Sequence, residues 1–242
     1  MNRIEEVFGA SPVLLPVIHP IGRDAAMESV RVASGAGVKG VFVINQGMGT
    51  EEVLGLVMAV RERFAELWVG VNLLGFAAAE VLERGLAGCA ARLDGIWTDN
   101  AHVDEDAEEQ PVAQAFVDAR RGRGWNGLYF GGVAFKYQRE VPRDKLGRAA
   151  AAALPFVDVV CTSGPATGKA ADVDKVAAMR AGMGAGALAL ASGVTEENVR
   201  GYLPHVDAYL VGTGIERDVG ILDPGRVERL QKIIAAHADG AR

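Results

Sequence analysis

Apolar residues fall in short continuous runs at 13–18, 40–44, 67–71, 95–98, 127–133, 157–161, 187–191 and 208–211, and each run is followed by a segment with helical spacing. Eight strand–helix units in succession predict parallel βαβ connections. Runs that are apolar throughout, rather than alternating, suit strands buried on both faces. The pattern predicts an α/β chain folded as a single (β/α)8 barrel over residues 1–242.

Helix signals agree with this register. Thr50 precedes Glu51 and Glu52, and Thr195 precedes Glu196 and Glu197, so both threonines are expected as N-caps with acid at the positive end of the helix dipole. Asp223–Pro224 predicts a cap followed by proline at the first helical position. Val227, Leu230 and Ile234 then share one face. Gly182 and Gly184 close a helix over 173–180, and another helix is expected from about Val112. No Pro/Gly/Ser-rich linker divides the chain. An open flavodoxin-like sheet is the rival fold, but it uses fewer strands, and no GxGxxG follows the first strand as a dinucleotide site requires.

Composition narrows the partners. The 242 residues are 50% hydrophobic and 6% aromatic, so Ala, Val, Leu and Gly must fill the core. The net charge is −6 with no Lys/Arg run, which argues against nucleic acid. Cys89 and Cys161 have no metal-type spacing and read as reduced thiols. The charged N-terminus lacks a signal core, and no apolar stretch reaches the roughly 18 residues of a membrane span. A cytoplasmic protein is expected, and self-association through outer helices is a fold-level expectation.

The most informative loops follow the last strands. Ala191-Ser192-Gly193-Val194 follows strand seven and Val211-Gly212-Thr213-Gly214 follows strand eight. Glycines let backbone N–H groups approach an anion, and barrels often bind phosphate at these two positions. Thr162-Ser163-Gly164-Pro165-Ala166-Thr167-Gly168-Lys169 follows strand six. It lacks the spacing of a P-loop, and Ala170 replaces the required hydroxyl residue, so it reads as a lid or clamp for the same ligand.

Polar residues end the other strands: His19, Asn45 and Gln46, Asn72, Asp99 and Asn100, and Lys136. A closed barrel brings these ends to one mouth. Asp99 and Lys136 are candidate acid/base or electrostatic groups, with His19, Asn45 and Asn72 orienting the reacting end. Lys136 has two readings, a cation paired with Asp99 or phosphate and an imine-forming nucleophile. The acidic block 102–110 is expected as a solvated loop or a lid. No His-x-His pair marks a metal barrel, and no metal ligands are assigned; a hard divalent cation near Asp99 is the open alternative.

The chain resembles the BtpA family, named for a protein associated with photosystem I biogenesis, and its SgcQ-like relatives. The matching stretches are PVIHPIG at 16–22, VFVINQG at 41–47, VGVNLLG at 69–75, Lys136, DVVCTSGPATGKAADVDKV at 158–176, SGVTEENVRGYLPHVDAYLVGTGIERDVG at 192–220 and DPGRVERL at 223–230. The resemblance implies a TIM barrel with a phosphate-type site. It places His19, Asn45, Asn72, Lys136, Ser163, Gly164, Thr167, Gly168, Ser192, Gly193, Gly212 and Thr213 on family-like positions. The proline segment after His19 is shorter than in the family, and Ile96-Trp97-Thr98-Asp99-Asn100 departs from its fourth-strand pattern. The resemblance supplies no reaction.

Three functions follow as expectations. The first is an enzyme acting on a phosphorylated sugar or nucleotide-like metabolite by isomerase, lyase or glycosyl/phosphoribosyl chemistry. The second is a non-catalytic assembly factor. The third is an oxidoreductase holding FMN by its phosphate.

Overall fold

A computed structural model describes residues 2–89 and 92–240. Eight parallel strands close into a barrel in sequence order. They are β1 (Val13–Ile18), β2 (Gly40–Ile44), β3 (Trp68–Asn72), β4 (Gly95–Thr98), β5 (Leu128–Gly132), β6 (Val159–Ser163), β7 (Ala187–Ala191) and β8 (Ala208–Val211). Closure is made by β1 against β8, Val13 to Pro16 pairing with Ala208 to Val211. Helix α1 (Arg3–Phe8) precedes the barrel; α2 (Arg23–Gly35), α3 (Thr50–Arg63), α4 (Ala78–Gly88), α5 (Pro111–Arg123), α6 (Leu146–Ala153) and α7 (Val173–Gly182) follow the first six strands, and α8 (Pro224–Gly240) ends the chain.

Two apolar layers hold this together. Inside the barrel, Leu15, Phe42, Trp97, Phe130, Cys161, Ala189 and Leu210 pack in one cluster, and α1 plugs its floor with Ile4 and Phe8. Phe42 meets Trp68, Trp97 and Phe130 edge to face, the favoured geometry for aromatic quadrupoles. A larger cluster lies between barrel and helices.

The floor also carries a repeating polar device. Asp94, Asp158 and Asp207 each stand just before an even-numbered strand. Each accepts from the backbone N–H at or near the start of the preceding odd strand: Val69, Tyr129 and Leu188. Each also pairs with an arginine of an odd-numbered helix: Arg61, Arg120 and Arg180. β6 begins at Val159 rather than at 157 as predicted, and Asp158 just before it joins β5 through both its N–H, to Tyr129 O, and its side chain.

Three local expectations are corrected. Thr50 is the first helical residue rather than the cap; Gly49 is the cap, and the Glu52 carboxylate reaches back to its N–H at 3.0 Å. No α-helix follows β7 after Thr195. The Asn198 side chain accepts from Thr195 N and donates to Gly193 O, holding a compact turn that ends in a 3-10 segment at Val199–Gly201. Such local side-chain bonds compete with helix formation. After β8 the chain makes an unanticipated antiparallel hairpin, β9 (Glu216–Asp218) with β10 (Ile221–Leu222), before α8. Among the described residues no helix is long and apolar enough to cross a membrane.

Candidate active site

The C-terminal strand ends surround a cavity of about 310 Å³, at the small end of the range for ligand pockets. Its floor is apolar, with Val17, Ile44, Trp97 and Leu210. Its wall carries His19, Gln46, Asp99, Lys136, Tyr137, Thr167, Ser192, Gly212 and Thr213.

On one side two glycine-bearing loops pack closely together. Ser192 and Gly193 are consecutive left-handed residues, with φ of 66° and 68°. A side chain at Gly193 would collide with the backbone of Lys169 and Ala170, and one at Gly164 would meet Lys169 O. Glycine at these two positions lets the loop after β6 fold down onto the loop after β7. The N–H groups of Gly193 and Gly212 find no acceptor among the described residues. They remain free for a ligand.

Lys136 reaches this side from β5. Its Nζ donates to Ser192 Oγ at 2.9 Å and to Thr167 Oγ1 at 3.1 Å. Its own N–H donates to Ser163 Oγ at 2.8 Å. The segment is bent by left-handed Ala134 and Tyr137, φ 47° and 61°, uncommon for residues with a Cβ. Lys175 fastens the bend by donating to Ala134 O at 2.5 Å and Ser163 O at 2.8 Å. Burial pushes the Lys175 ammonium down to about 8, against the pull of Asp172.

Asp99 stands on the far side, at the end of β4. Asn72 Nδ2 donates to its carboxylate at 3.1 Å. Burial raises the Asp99 pKa, and Asn72 and the Lys136 charge oppose the rise. His19 occupies a third position, beside β8. Its Nδ1 lies 2.7 Å from Glu216 Oε1. Its ring packs on Gly212, where any side chain would strike it.

Of the residues singled out in the sequence, His19, Asp99, Lys136, Thr167, Ser192, Gly212 and Thr213 share this cavity; Asn72, Gly168 and Gly193 do not line it. Asn72 stands behind Asp99. Ser163 and Gly164 are buried under the loop and face a neighbouring cavity. Asn45 does not meet the expected role of orienting a ligand: its Oδ1 accepts from Leu74 N at 2.6 Å, tying the loop after β2 to the one after β3. The acidic block is a mostly exposed loop that leads into α5, as expected, and ion pairs hold it. Arg139 holds buried Glu105, and Lys145 and Arg148 hold Asp106.

Glu216, Tyr137, Trp97 and Lys175 were not singled out as site residues. Trp97 was readable in principle, since it shares a strand face with Asp99 two residues on. Glu216 carried no local signal, because the hairpin that delivers it has no strong turn or alternation pattern.

Solved structures with this fold include three enzymes. Phosphoribosyl anthranilate isomerase from Thermus thermophilus is 16% identical with a TM-score of 0.63, covering 95% of this chain and 100% of its own. 3-Keto-L-gulonate-6-phosphate decarboxylase from Vibrio cholerae is 12% identical with a TM-score of 0.66, covering 94% and 99%. A Mycobacterium tuberculosis tryptophan synthase structure is 14% identical with a TM-score of 0.64, covering 98% of each chain. These likenesses show the (β/α)8 fold. No family model matches the chain, and no curated protein matches it in sequence.

Proposed function

We propose that this barrel is an enzyme acting on a small phosphorylated metabolite, with proton transfer as its chemistry. One observation carries the reading. The Lys136 ammonium is hydrogen-bonded to Ser192 in the anion-suited loops, while a half-buried carboxyl of raised pKa, Asp99, lines the opposite wall of the same cavity. Phosphate would sit against Ser192, Gly212 and Thr213, with Gly193 shaping the loop behind Ser192 and Lys136 balancing the charge. Asp99 would exchange a proton with the reacting end. The isomerase and decarboxylase named above are barrels whose names carry phosphorylated compounds, and the BtpA-like stretches 158–176 and 192–220 fall on the same loops. Proton transfer next to a carbonyl is the step that the isomerase and lyase readings share.

A thermal-shift screen of sugar phosphates against their unphosphorylated parents tests this. A ligand at a hundredfold excess over its Kd stabilises by about 2.7 kcal/mol, roughly a 5–10 °C rise in Tm for a chain this long. Stabilisation by phosphorylated compounds alone is expected. Equal shifts from the parents, or none from any phosphate, would overturn the reading. The same loops would suit the phosphate of FMN, but the cavity volume favours a smaller ligand, and a colourless protein that takes up no flavin removes that alternative.

A further inference from the structure

The hairpin β9–β10 interrupts the passage from β8 to α8, and its base is firmly tied. Ser29 Oγ donates to Gly220 O and accepts from Leu222 N. Arg226 donates to Glu216 O at 2.6 Å, and Asp223 N donates to Ile215 O at 2.8 Å. The tip residues Arg217, Asp218 and Val219 are exposed, whereas the Glu216 side chain is only 6% exposed and turned inward. Its Oε1 accepts from Gly220 N at 3.3 Å and faces His19 Nδ1 at 2.7 Å. Among the described residues no Lys or Arg pairs with this carboxylate, and the one titratable side chain hydrogen-bonded to it is His19. A buried carboxylate is costly unless it is paired. The Gly220 N–H ties the side chain into the hairpin, and the His19 contact is the shorter of the two.

We infer that Glu216 is the positioning residue of a proton-transfer dyad with His19. It holds the neutral imidazole as the Nδ1–H tautomer, leaving Nε2 as the free base of a ring that lines the cavity. The inference rests on the phosphorylated-substrate reading and deepens it. The His19 ring lies on Gly212, within one of the two anion loops. The proton it takes therefore belongs to a carbon or oxygen close to the phosphoester, which points to a short phosphorylated keto or hydroxy compound. For an α-hydroxy keto compound, Nε2 accepts the C–H proton of the hydroxyl-bearing carbon next to the carbonyl. The electron pair of that bond forms the C=C bond of an enediol, and the carbonyl oxygen takes its proton from Asp99. Gly212 completes the device, since any Cβ there would displace the ring.

The test is the His19 tautomer in the intact protein, read by long-range proton–nitrogen NMR at about pH 9, above the ordinary histidine range. The His19→Asn variant assigns the signal, and glycerol 3-phosphate is the binding probe. The wild type is expected to show Nδ1–H with an unprotonated Nε2. E216Q is expected to shift the ring toward the Nε2–H form, because an amide can donate to Nδ1. An Nε2–H ring or a doubly protonated ring in the wild type would overturn the dyad, and that measurement stands whether or not the variant folds. An unchanged tautomer in folded E216Q would overturn Glu216 as its cause. Failure of the wild type to bind any phosphorylated compound would instead sink the substrate reading, leaving the tautomer result on its own.

Discussion

Lys136 and Ser192 end different strands, β5 and β7, yet the ammonium of one lies 2.9 Å from the hydroxyl of the other. The lysine spans the intervening strand to do so. It therefore joins the wall that carries Asp99 to the loops suited to an anion, and it is the residue whose loss should be felt most widely.

Replacing Lys136 with Met removes that charge with little change in bulk. Charge-assisted hydrogen bonds contribute about 1.5–3 kcal/mol, so affinity for a phosphorylated ligand should fall roughly 10- to 100-fold in calorimetric titration. K136R should recover part of it. Borohydride treatment of a turned-over substrate should leave no adduct on Lys136 if the lysine acts as a cation; an adduct would assign it imine chemistry instead.

Asp99 is held above its usual carboxylate range by burial. Its folded form binds a proton more tightly than the unfolded chain does. The stability it contributes is thus full at low pH and is lost as pH rises through the folded pKa. D99N should accordingly raise Tm relative to wild type at neutral pH. The gap should close as pH falls to the unfolded aspartate range near 3.8. A gap that widens on acidification would contradict the shift.

Gly212→Ala should fold and lose His19 placement, because the new methyl occupies the space of the imidazole. Stability should change by roughly 1–3 kcal/mol, as overpacking usually costs. Ligand affinity should fall with it, and the His19 ring resonances should move in NMR spectra.

Asp207→Ala tests the floor independently of the mouth. Asp207 accepts from Asn2, Ser11, Arg180 and Leu188 N. Its removal leaves a largely buried arginine without its carboxylate, a loss of about 3–5 kcal/mol. Denaturant unfolding should show that loss, while ligand affinity of the folded protein stays unchanged.

The barrel was legible because its strands are continuous apolar runs, and five of the eight, among them Val13–Ile18 and Ala208–Val211, have the predicted bounds. The mouth was legible as a set of strand-end residues, since barrel closure alone brings His19, Asp99, Lys136, Ser192 and Gly212 together. What escaped were side-chain partnerships over long sequence separations. Glu216 meets His19 across 197 residues, and no local pattern encodes that contact. Asn45 looked like a ligand contact because sequence shows where a side chain starts, not which backbone group it will satisfy. The helix expected after Thr195 failed for a similar reason, as Asn198 offered the backbone a competing set of bonds.

The central claim is that the loops after β7 and β8 hold a phosphoryl group. The most direct measurement follows the backbone amide resonances of Ser192, Gly193, Gly212 and Thr213 during titration with glycerol 3-phosphate, with glycerol as the control. Saturable shifts centred on these four amides are expected with the phosphate ester and none with glycerol. Shifts scattered over exposed lysines and arginines, with these amides unmoved at saturation, would contradict it.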